Sequence, residues 1–393
     1  MDPMGLLEAG VAVVHGKLVE NFRMPSAEDA YYETLIVPGF SDGHAHPQVV
    51  DGGLRDGRLW RDSYDWLERR ELAVDEARVR RDLSISQRLA TLSLLRGLLE
   101  GTTLMALTGR LLANVKALLS LRRRPRAVLL PTVMDRAGWT LEEVREDYAR
   151  ASYLVSDGLA RMGIFVHSLR LAGESTVREA IRIAARSGAV LGLHLGEGVS
   201  EGERFRAIFG NPPYSLRIVP VHCIDDDMSS LGLSCVACPA TNVMLYGRTR
   251  RDLSGISAFG SDWPLLIGTT PVHLPLMIKA YRDSPLLILR SATVGGYRLY
   301  NVPHDGDYVA YDESLEEVLR GRASPRLVVV NGEAAVREGR LVEGGHDRES
   351  LLKMIEETIG EALELYGNGY SASRILREHQ EAFSRWAEWQ GSP

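Results

Sequence analysis

The chain has 393 residues, a length that allows one large domain or two ordinary ones with a substantial core. Hydrophobic residues make up 45% of the chain and charged residues 25%, which excludes a disordered, fibrous or disulfide-dense protein. The net charge of −6 argues against a nucleic-acid-binding protein, because such a protein needs a dense basic surface.

Three further features concern the compartment. No apolar run reaches the ~20 residues of a membrane span, so we expect no membrane partner. The first residues lack a basic segment followed by an apolar stretch, so we expect no signal peptide. The cysteines Cys223, Cys235 and Cys238 are few and odd in number, which suits a reducing compartment. We therefore predict a cytoplasmic protein.

Apolar runs alternate with segments of helical spacing through the middle of the chain. The predicted strands are Leu35–Phe40, Thr102–Leu107, Ala127–Val133, Gly163–His167, Ala189–His194, Ile218–His222, Cys235–Cys238 and Ile256–Phe259. The clearest predicted helices are Val79–Leu99, Leu141–Arg161, Thr176–Ser187 and Val272–Tyr281. Buried parallel strands are continuous apolar runs, and eight β–α alternations over roughly 250 residues predict a closed α/β fold, the (β/α)8 TIM-type barrel. A doubly wound open sheet is the competing fold.

The two ends of the chain have strand patterns of their own. Val11–Val19 predicts a hairpin before the barrel. Near the other end, Tyr308–Tyr311, Arg326–Val330 and Ala334–Val342 have the pattern of strands, with Asn331-Gly332 as a hairpin turn. We expect strands from both ends to pair in one small β-sandwich beside the barrel.

These patterns predict three parts of the chain. Residues 1–34 and 300–346 form the composite β-sandwich, residues 35–299 form the barrel, and residues 347–393 form a helical C-terminal extension. Within the extension, the helical pattern over Arg348–Trp389 is interrupted near Gly367-Asn368-Gly369. We assign no function to the extension from its sequence.

Metal-binding side chains follow several of the predicted strands. His44 and His46 come after the first strand, and residues two apart in an extended segment point the same way. Two imidazoles can therefore reach one ion at ~2.0–2.1 Å. His194 ends the fifth strand, and Asp262 comes just after the eighth. Because the carboxyl ends of barrel strands meet at one face, where a barrel enzyme has its active site, these four side chains are candidates for a functional site.

Two more groups lie at the same predicted face. Glu197 follows His194 by three residues, and His222 ends the sixth strand. Both side chains would thus lie where a barrel enzyme has its active site. Each could instead be an ordinary hydrogen-bonded residue at a strand end, but the occurrence of all of them in one barrel-like chain favours a catalytic site.

The segments that carry these residues resemble the amidohydrolase superfamily, in particular its cytosine deaminase and chlorohydrolase (triazine hydrolase) branch. The segments are PGFSDGHAH at 38–46, HLGE at 194–197, VHC at 221–223, CPATN at 238–242 and GSDWP at 260–264. Later segments, ATVGG, DGDYVA and VVVNG, resemble the return of that branch into its sandwich, so the resemblance covers about residues 5–345. Two features depart from the pattern: the amino-terminal sandwich portion is short, and Thr241 replaces a serine.

The resemblance implies a mononuclear site. The implied ligands are His44, His46, His194 and Asp262, with zinc as the default divalent ion and iron(II) as the rival. Binuclear relatives bridge their metals with a modified lysine after the fourth strand, and none of the four lysines of this chain lies at a predicted strand end.

The resemblance also implies catalytic roles. Asp262 would bind the metal and orient the attacking water, His222 would hydrogen-bond that water, and Glu197 would carry a proton to the ring nitrogen or the leaving amine. We therefore predict a metal-dependent hydrolase of non-peptide C–N bonds, which deaminates an amino-substituted nitrogen heterocycle with a metal-activated water. The predicted partner is this small heterocyclic substrate, and a homo-oligomer is left open.

Five side chains in loops after strands are candidates for substrate contact: Arg136, Trp139, His167, Arg170 and Trp263. An arginine could hold a carbonyl or carboxylate, and a tryptophan could stack on a flat ring. The alternative for each is surface packing. The Cys235-x-x-Cys238 spacing could mark a redox pair or half of a zinc site, but there is no second such pair, so we interpret Cys238 as structural.

Other functions remain open. A chlorohydrolase or a cyclic amide hydrolase could use the same groups, and an adenosine-deaminase-type enzyme contains segments similar to HLGE and CPATN. A catalytically silent structural member of the superfamily is a further alternative, which the presence of every expected ligand disfavours.

Overall fold

A computed structural model describes residues 11–14, 17–20, 34–55, 57–135, 139–154, 158–210 and 216–387. The strands are β1 (Val11–Val14), β2 (Lys17–Glu20), β3 (Leu35–Pro38), β4 (Phe40–Ala45), β5 (Thr102–Leu107), β6 (Arg126–Leu129), β7 (Thr132–Val133), β8 (Ala160–Val166), β9 (Val190–Leu195), β10 (Ile218–His222), β11 (Cys235–Ala237), β12 (Ile256–Phe259), β13 (Tyr308–Tyr311), β14 (Leu327–Val330), β15 (Glu333–Arg337) and β16 (Arg340–Leu341). The helices are α1 (Ser63–Arg69), α2 (Glu76–Arg81), α3 (Leu83–Glu100), α4 (Leu111–Leu119), α5 (Leu141–Leu154), α6 (Glu174–Ser187), α7 (Gly202–Phe209), α8 (Pro239–Tyr246), α9 (Pro264–Ile267), α10 (Thr270–Ala280), α11 (Pro285–Arg290), α12 (Gly296–Tyr300), α13 (Leu315–Leu319), α14 (Arg348–Tyr366) and α15 (Ala372–Ala387).

The central sheet is a barrel of parallel strands in the order β12-β11-β10-β9-β8-β6-β5-β4. The short strand β7 follows β6 in the chain and also pairs with β8, so β6 and β7 together form the third strand of the barrel. The first and last strands meet where the His46 N–H donates to the Asp262 carbonyl at 2.7 Å and the Asp262 N–H donates to the His44 carbonyl at 2.9 Å. This parallel bridge closes the sheet, so the predicted (β/α)8 barrel is confirmed and the open sheet is wrong.

The first predicted strand, Leu35–Phe40, is wrong as a single strand. Residues of β3 pair antiparallel with β13 outside the barrel, and the first barrel strand is β4. The chain changes sheets at Gly39, where a Cβ atom would lie 1.8 Å from Thr103 Oγ1. Only glycine fits this close approach, so the change of sheet depends on a contact that the apolar pattern does not reveal.

The outer sheet has five antiparallel strands in the order β16-β15-β14-β13-β3, so both ends of the chain build it as expected. Its N-terminal contribution differs from the prediction. The hairpin of β1 and β2 forms a two-stranded sheet of its own, and β3 joins the outer sheet instead. The predicted turn at Asn331-Gly332 is confirmed, since both residues have positive φ angles, 51° and 78°.

A buried ion pair joins the barrel to the outer sheet. The Arg126 side chain on β6 donates from Nε to Asp307 Oδ2 at 2.9 Å, and Asp307 also accepts from the Tyr297 hydroxyl at 2.8 Å. The two charged side chains are 4% and 0% exposed. Burial raises the pKa of Asp307, and the arginine counteracts that rise.

Replacement of the arginine should therefore destabilise the fold. We expect Arg126→Leu to lower the free energy of unfolding by about 3–5 kcal/mol, because the carboxylate of Asp307 stays buried without its counter-charge. The matched control is Arg320→Ala, which removes a pair to Glu316 whose arginine is 52% exposed and should cost less than about 1 kcal/mol. Denaturant unfolding measures both, and equal small losses would contradict the assignment.

The C-terminal extension is helical, as predicted. Helix α14 packs against α3, and α15 packs against α8 and α9, which follow the seventh and eighth barrel strands. The break between the two helices lies at 367–371, as the glycine pattern indicates. Among the described helices, none combines the length and apolar character that a bilayer crossing requires.

The cysteines do not all behave as expected. Cys223 and Cys235 form a disulfide that joins the end of β10 to the start of β11, a pairing that the sequence analysis above does not predict. The cysteine count is therefore not an argument for a reducing compartment, and the cytoplasmic location stays a prediction. Cys238 is a buried free thiol at the start of α8, which agrees with a structural residue.

Candidate active site

Three histidines converge at the carboxyl end of the barrel. The Nε2 atom of His44, at the end of β4, lies 3.0 Å from Nε2 of His46 and 3.1 Å from Nε2 of His194 on β9. Ligand atoms at ~2.0–2.1 Å from a tetrahedral ion are about 3.3 Å apart, close to both distances. His44 and His194 are 0% and 5% exposed. The three rings thus have the geometry of metal ligands.

Asp262 completes this cluster from the eighth strand. Its Oδ1 atom lies 3.4 Å from His46 Nε2 and 3.6 Å from His44 Nε2. Its φ angle of 67° lies in the left-handed region, which residues other than glycine rarely adopt. The backbone bridge to the first strand holds Asp262 in this conformation. Burial by itself would raise the pKa of Asp262, but the neighbouring imidazoles lower it below the usual range, so the carboxylate is anionic.

The donor set fits a divalent cation. Burial lowers the pKa of His46 and His194 well below the usual value, so both rings are neutral. The Thr108 hydroxyl donates to the Ala45 carbonyl at 3.0 Å, so it accepts from Nδ1–H of His46 at 2.9 Å. With its proton on Nδ1, His46 has a lone pair on Nε2, which is directed at the other candidate ligands. A cation bound between them would satisfy all of these donor atoms.

The lysines lie outside the barrel strands. Lys116, Lys279 and Lys353 lie on α4, α10 and α14, and Lys17 lies on β2. After the fourth barrel strand the chain has His167 instead. Within the described residues, therefore, no lysine follows the fourth barrel strand, and the number of metal ions stays a prediction.

Glu197 and His222 lie beside the ligand cluster, as predicted. Glu197 Oε1 is 3.7 Å from Nε2 of His222, and the two side chains are 6% and 2% exposed. Burial raises the pKa of Glu197, as a group that must both take up and release a proton requires. His222 has a φ angle of 72°, which turns the end of β10 toward the site.

Helix α8 supplies partners that the sequence analysis did not identify. Asn242 Oδ1 accepts from Nδ1–H of His222 at 2.8 Å, which directs the Nε2 lone pair of His222 into the site. The Tyr246 hydroxyl donates to Glu197 Oε1 at 2.7 Å. Asn242 lies within CPATN, and Tyr246 follows it by four residues on the same helical face, so the spacing offered a signal for both. Thr108 had no such signal.

The contact from Tyr246 predicts a change in pH dependence. The hydroxyl donates to the carboxylate and so stabilises its charged form, and Tyr246→Phe should therefore raise the pKa of Glu197 further. We expect the limb of the pH–rate profile that reports Glu197 to move to higher pH. The profile of Tyr148→Phe, whose hydroxyl contacts the Gly163 carbonyl, should stay unchanged. A Tyr246→Phe profile that coincides with wild type would contradict this role.

The candidate substrate residues have different locations. His167 is 9% exposed and its ring is 4.8 Å from that of His194, so it lies beside the metal cluster. Arg170 is exposed at the same face, with its guanidinium 4.1 Å from the Tyr64 ring. The guanidinium of Arg80 lies 4.0 Å from the Trp139 ring, away from the ligands, and Arg136 lies outside the described residues.

Trp263 does not face the cluster. It is 2% exposed, and its ring packs 6.0 Å from that of Trp66 and 5.9 Å from that of His379. The left-handed backbone at Asp262 directs the next side chain into the core, which local sequence does not show. We therefore leave Trp263 out of the proposed substrate contacts.

Solved structures with the same fold share this arrangement of strands. An atrazine chlorohydrolase from Arthrobacter aurescens complexed with zinc matches with a TM-score of 0.62 at 16% identity, covering 89% of this chain and 94% of that chain. An adenosine deaminase from Xanthomonas campestris with bound zinc matches at 0.64 and 18%, covering 90% and 93%. The chain has the fold of these zinc enzymes. A guanine deaminase from E. coli also matches, at 0.59 and 18%, covering 78% of this chain and 85% of that chain. No protein-family model and no curated protein matches the sequence.

Proposed function

We propose that this protein is a mononuclear metal-dependent hydrolase that removes an amino group from a flat, largely neutral nitrogen heterocycle. The observation that carries the proposal is the position of Glu197 and His222 next to a cluster of three histidines and one aspartate. The ligands would be His44, His46, His194 and Asp262, with the imidazole and carboxylate donors that suit zinc or iron(II). A divalent ion bound there lowers the pKa of its water from about 15.7 to about 7.

The proton transfers fall to the side chains beside the ligands. Glu197 takes a proton from the attacking water and delivers it to the ring nitrogen next to the attacked carbon. His222 accepts a hydrogen bond from the water through Nε2, because Asn242 fixes its proton on Nδ1. The new C–O bond forms as the ring nitrogen is protonated. The C–N bond then breaks as Glu197 carries the proton of the new hydroxyl group to the leaving nitrogen, which departs as ammonia while the ring carbon becomes a carbonyl.

Deamination is favoured over amide hydrolysis by the carboxyl group. A ring carbon accepts the attacking oxygen only if the adjacent nitrogen gains a proton, and the raised pKa of Glu197 suits that transfer. A binuclear amide hydrolase would polarise its carbonyl with a second metal ion, and no bridging lysine lies at the cluster within the described residues. The solved deaminases with this fold support the same choice.

A chlorohydrolase is the second candidate, because the matched atrazine chlorohydrolase has the same fold. The discriminating assay measures ammonia and chloride released from matched amino- and chloro-substituted pterins, purines, pyrimidines and triazines, with metal-stripped protein as the control. We expect ammonia from at least one aminated ring. Chloride from the chlorinated rings with no ammonia from any aminated ring would overturn the deaminase proposal.

A further inference from the structure

The C-terminal extension reaches the segments that carry the metal ligands. His379 on α15 is completely buried, and its Nδ1–H donates to the Ile375 carbonyl at 2.8 Å. Its Nε2 atom is therefore an acceptor, and it accepts from the backbone N–H of Gly52 at 2.9 Å. Gly52 lies six residues after His46 in the loop that follows the first barrel strand. A contact across 327 positions of sequence thus ties the extension to this loop.

The same histidine touches the segment after the eighth strand. Its ring lies edge-on to Trp263 with the centroids 5.9 Å apart, and Trp263 directly follows the ligand Asp262. The neighbouring Gln380 side chain donates to the Leu266 carbonyl on α9. Helix α15 therefore contacts both segments that follow the bridge between the first and last barrel strands, namely the loop after His46 and the segment after Asp262.

Gly52 is closely packed between the loop and the extension. The Trp66 indole N–H donates to the Gly52 carbonyl at 3.1 Å, so both backbone groups of this glycine are bonded. A Cβ atom at Gly52 would lie 2.5 Å from the Trp263 ring and 2.9 Å from His379 Nε2. Gly52 thus packs together with the indoles of Trp66 and Trp263 and the imidazole of His379. This cluster lies next to the proposed ligand Asp262, which Trp263 directly follows in the chain.

We infer that His379 is a positioning residue for the metal centre, through which the C-terminal extension holds the His46 and Asp262 segments in register. The inference rests on the proposed metal site but not on the choice of substrate. A buried N–H that loses its acceptor forces the loop to rearrange, and small shifts of ligating groups cost catalysis up to about 100-fold.

Three variants test this inference in the full-length protein. His379→Leu keeps apolar volume but removes the acceptor, whereas His379→Gln keeps an acceptor near the Nε2 position. Gly52→Ala forces the loop away from Trp263 and His379 without changing a residue of the extension, so it tests the contact from the loop side even if His379→Leu does not fold. The control is Ile359→Ala, which removes buried volume on α14 of the same extension.

The first measurement is amide hydrogen exchange of the peptide around Gly52 in metal-free protein, so it requires neither metal nor substrate. We expect at least tenfold faster exchange in His379→Leu and Gly52→Ala, and near wild-type exchange in His379→Gln and Ile359→Ala. Unchanged exchange in folded His379→Leu would overturn the inference, as would unchanged exchange in Gly52→Ala if His379→Leu does not fold.

The second measurement is the visible spectrum of the cobalt(II)-loaded protein, which reports ligand geometry. We expect an altered spectrum and a kcat lowered about 10- to 100-fold, with little change of KM, in the disruptive variants, and the wild-type spectrum in His379→Gln. A wild-type spectrum in both disruptive variants would overturn the inference. The deaminase proposal fails separately, when the wild-type protein releases no ammonia while the exchange results stand.

Discussion

Glu197→Gln should retain its metal ion and lose about 10²–10⁴-fold in kcat. The amide keeps the shape of the side chain and can still contact Tyr246, but it cannot take a proton from water or return one to the ring. Because Glu197 is not among the four proposed ligands, metal content should stay at the wild-type value. Steady-state kinetics on a verified substrate, together with elemental analysis of the same sample, measures both quantities.

The matched control is Glu201→Gln. Glu201 is a second buried glutamate at this face, bonded to the Tyr64 hydroxyl at 2.5 Å, with a pKa raised to about 7 by burial. We expect its replacement to change kcat less than tenfold, since Glu201 does not belong to any of the candidate ligand groups in the described part of the chain. Near-full activity in Glu197→Gln would show that the proton carrier is a different group.

His194→Ala should lose both the metal ion and activity. The ring is 5% exposed and its Nε2 atom lies 3.1 Å from that of His44, so removal takes one of four donors from a closed cluster. We expect less than a tenth of wild-type metal content after dialysis against a weak chelator, and a loss of kcat of at least about 10³-fold.

The control for this loss is His273→Ala. His273 is also completely buried, on helix α10, where it contacts the Ile267 carbonyl, and it belongs to none of the histidine clusters at the carboxyl face. Its replacement should lower stability but leave metal content unchanged. Retention of the metal in His194→Ala would contradict the ligand assignment.

Much of the fold could be predicted because buried parallel strands are continuous apolar runs. Residues Thr102–Leu107, Ile218–His222 and Ile256–Phe259 are strands with the predicted bounds. The helix predicted over Val79–Leu99 is two helices in the structure, because the Asp82 side chain accepts from the backbone N–H groups at the start of α3 and caps a new helix there. Apolar spacing alone does not detect such a cap.

The site could be predicted in part for a related reason. Its candidate ligands follow predicted strands, and the resemblance of the surrounding segments to a known family singles out His44, His46, His194 and Asp262. The direction of Trp263 could not be predicted, because it depends on the left-handed backbone of Asp262. The disulfide of Cys223 could not be predicted either, because it depends on how the neighbouring strands β10 and β11 place the two cysteines. The link through His379 spans most of the chain and has no local signature.

The central claim is one catalytic metal ion held by three histidines and one aspartate, and metal stoichiometry tests it most directly. Purified protein is loaded with zinc or iron(II), dialysed to remove weakly bound ions, and analysed by elemental mass spectrometry against protein concentration. We expect one ion per chain, lost in His194→Ala and kept in Glu197→Gln. Two tightly held ions per chain, or none, would contradict it.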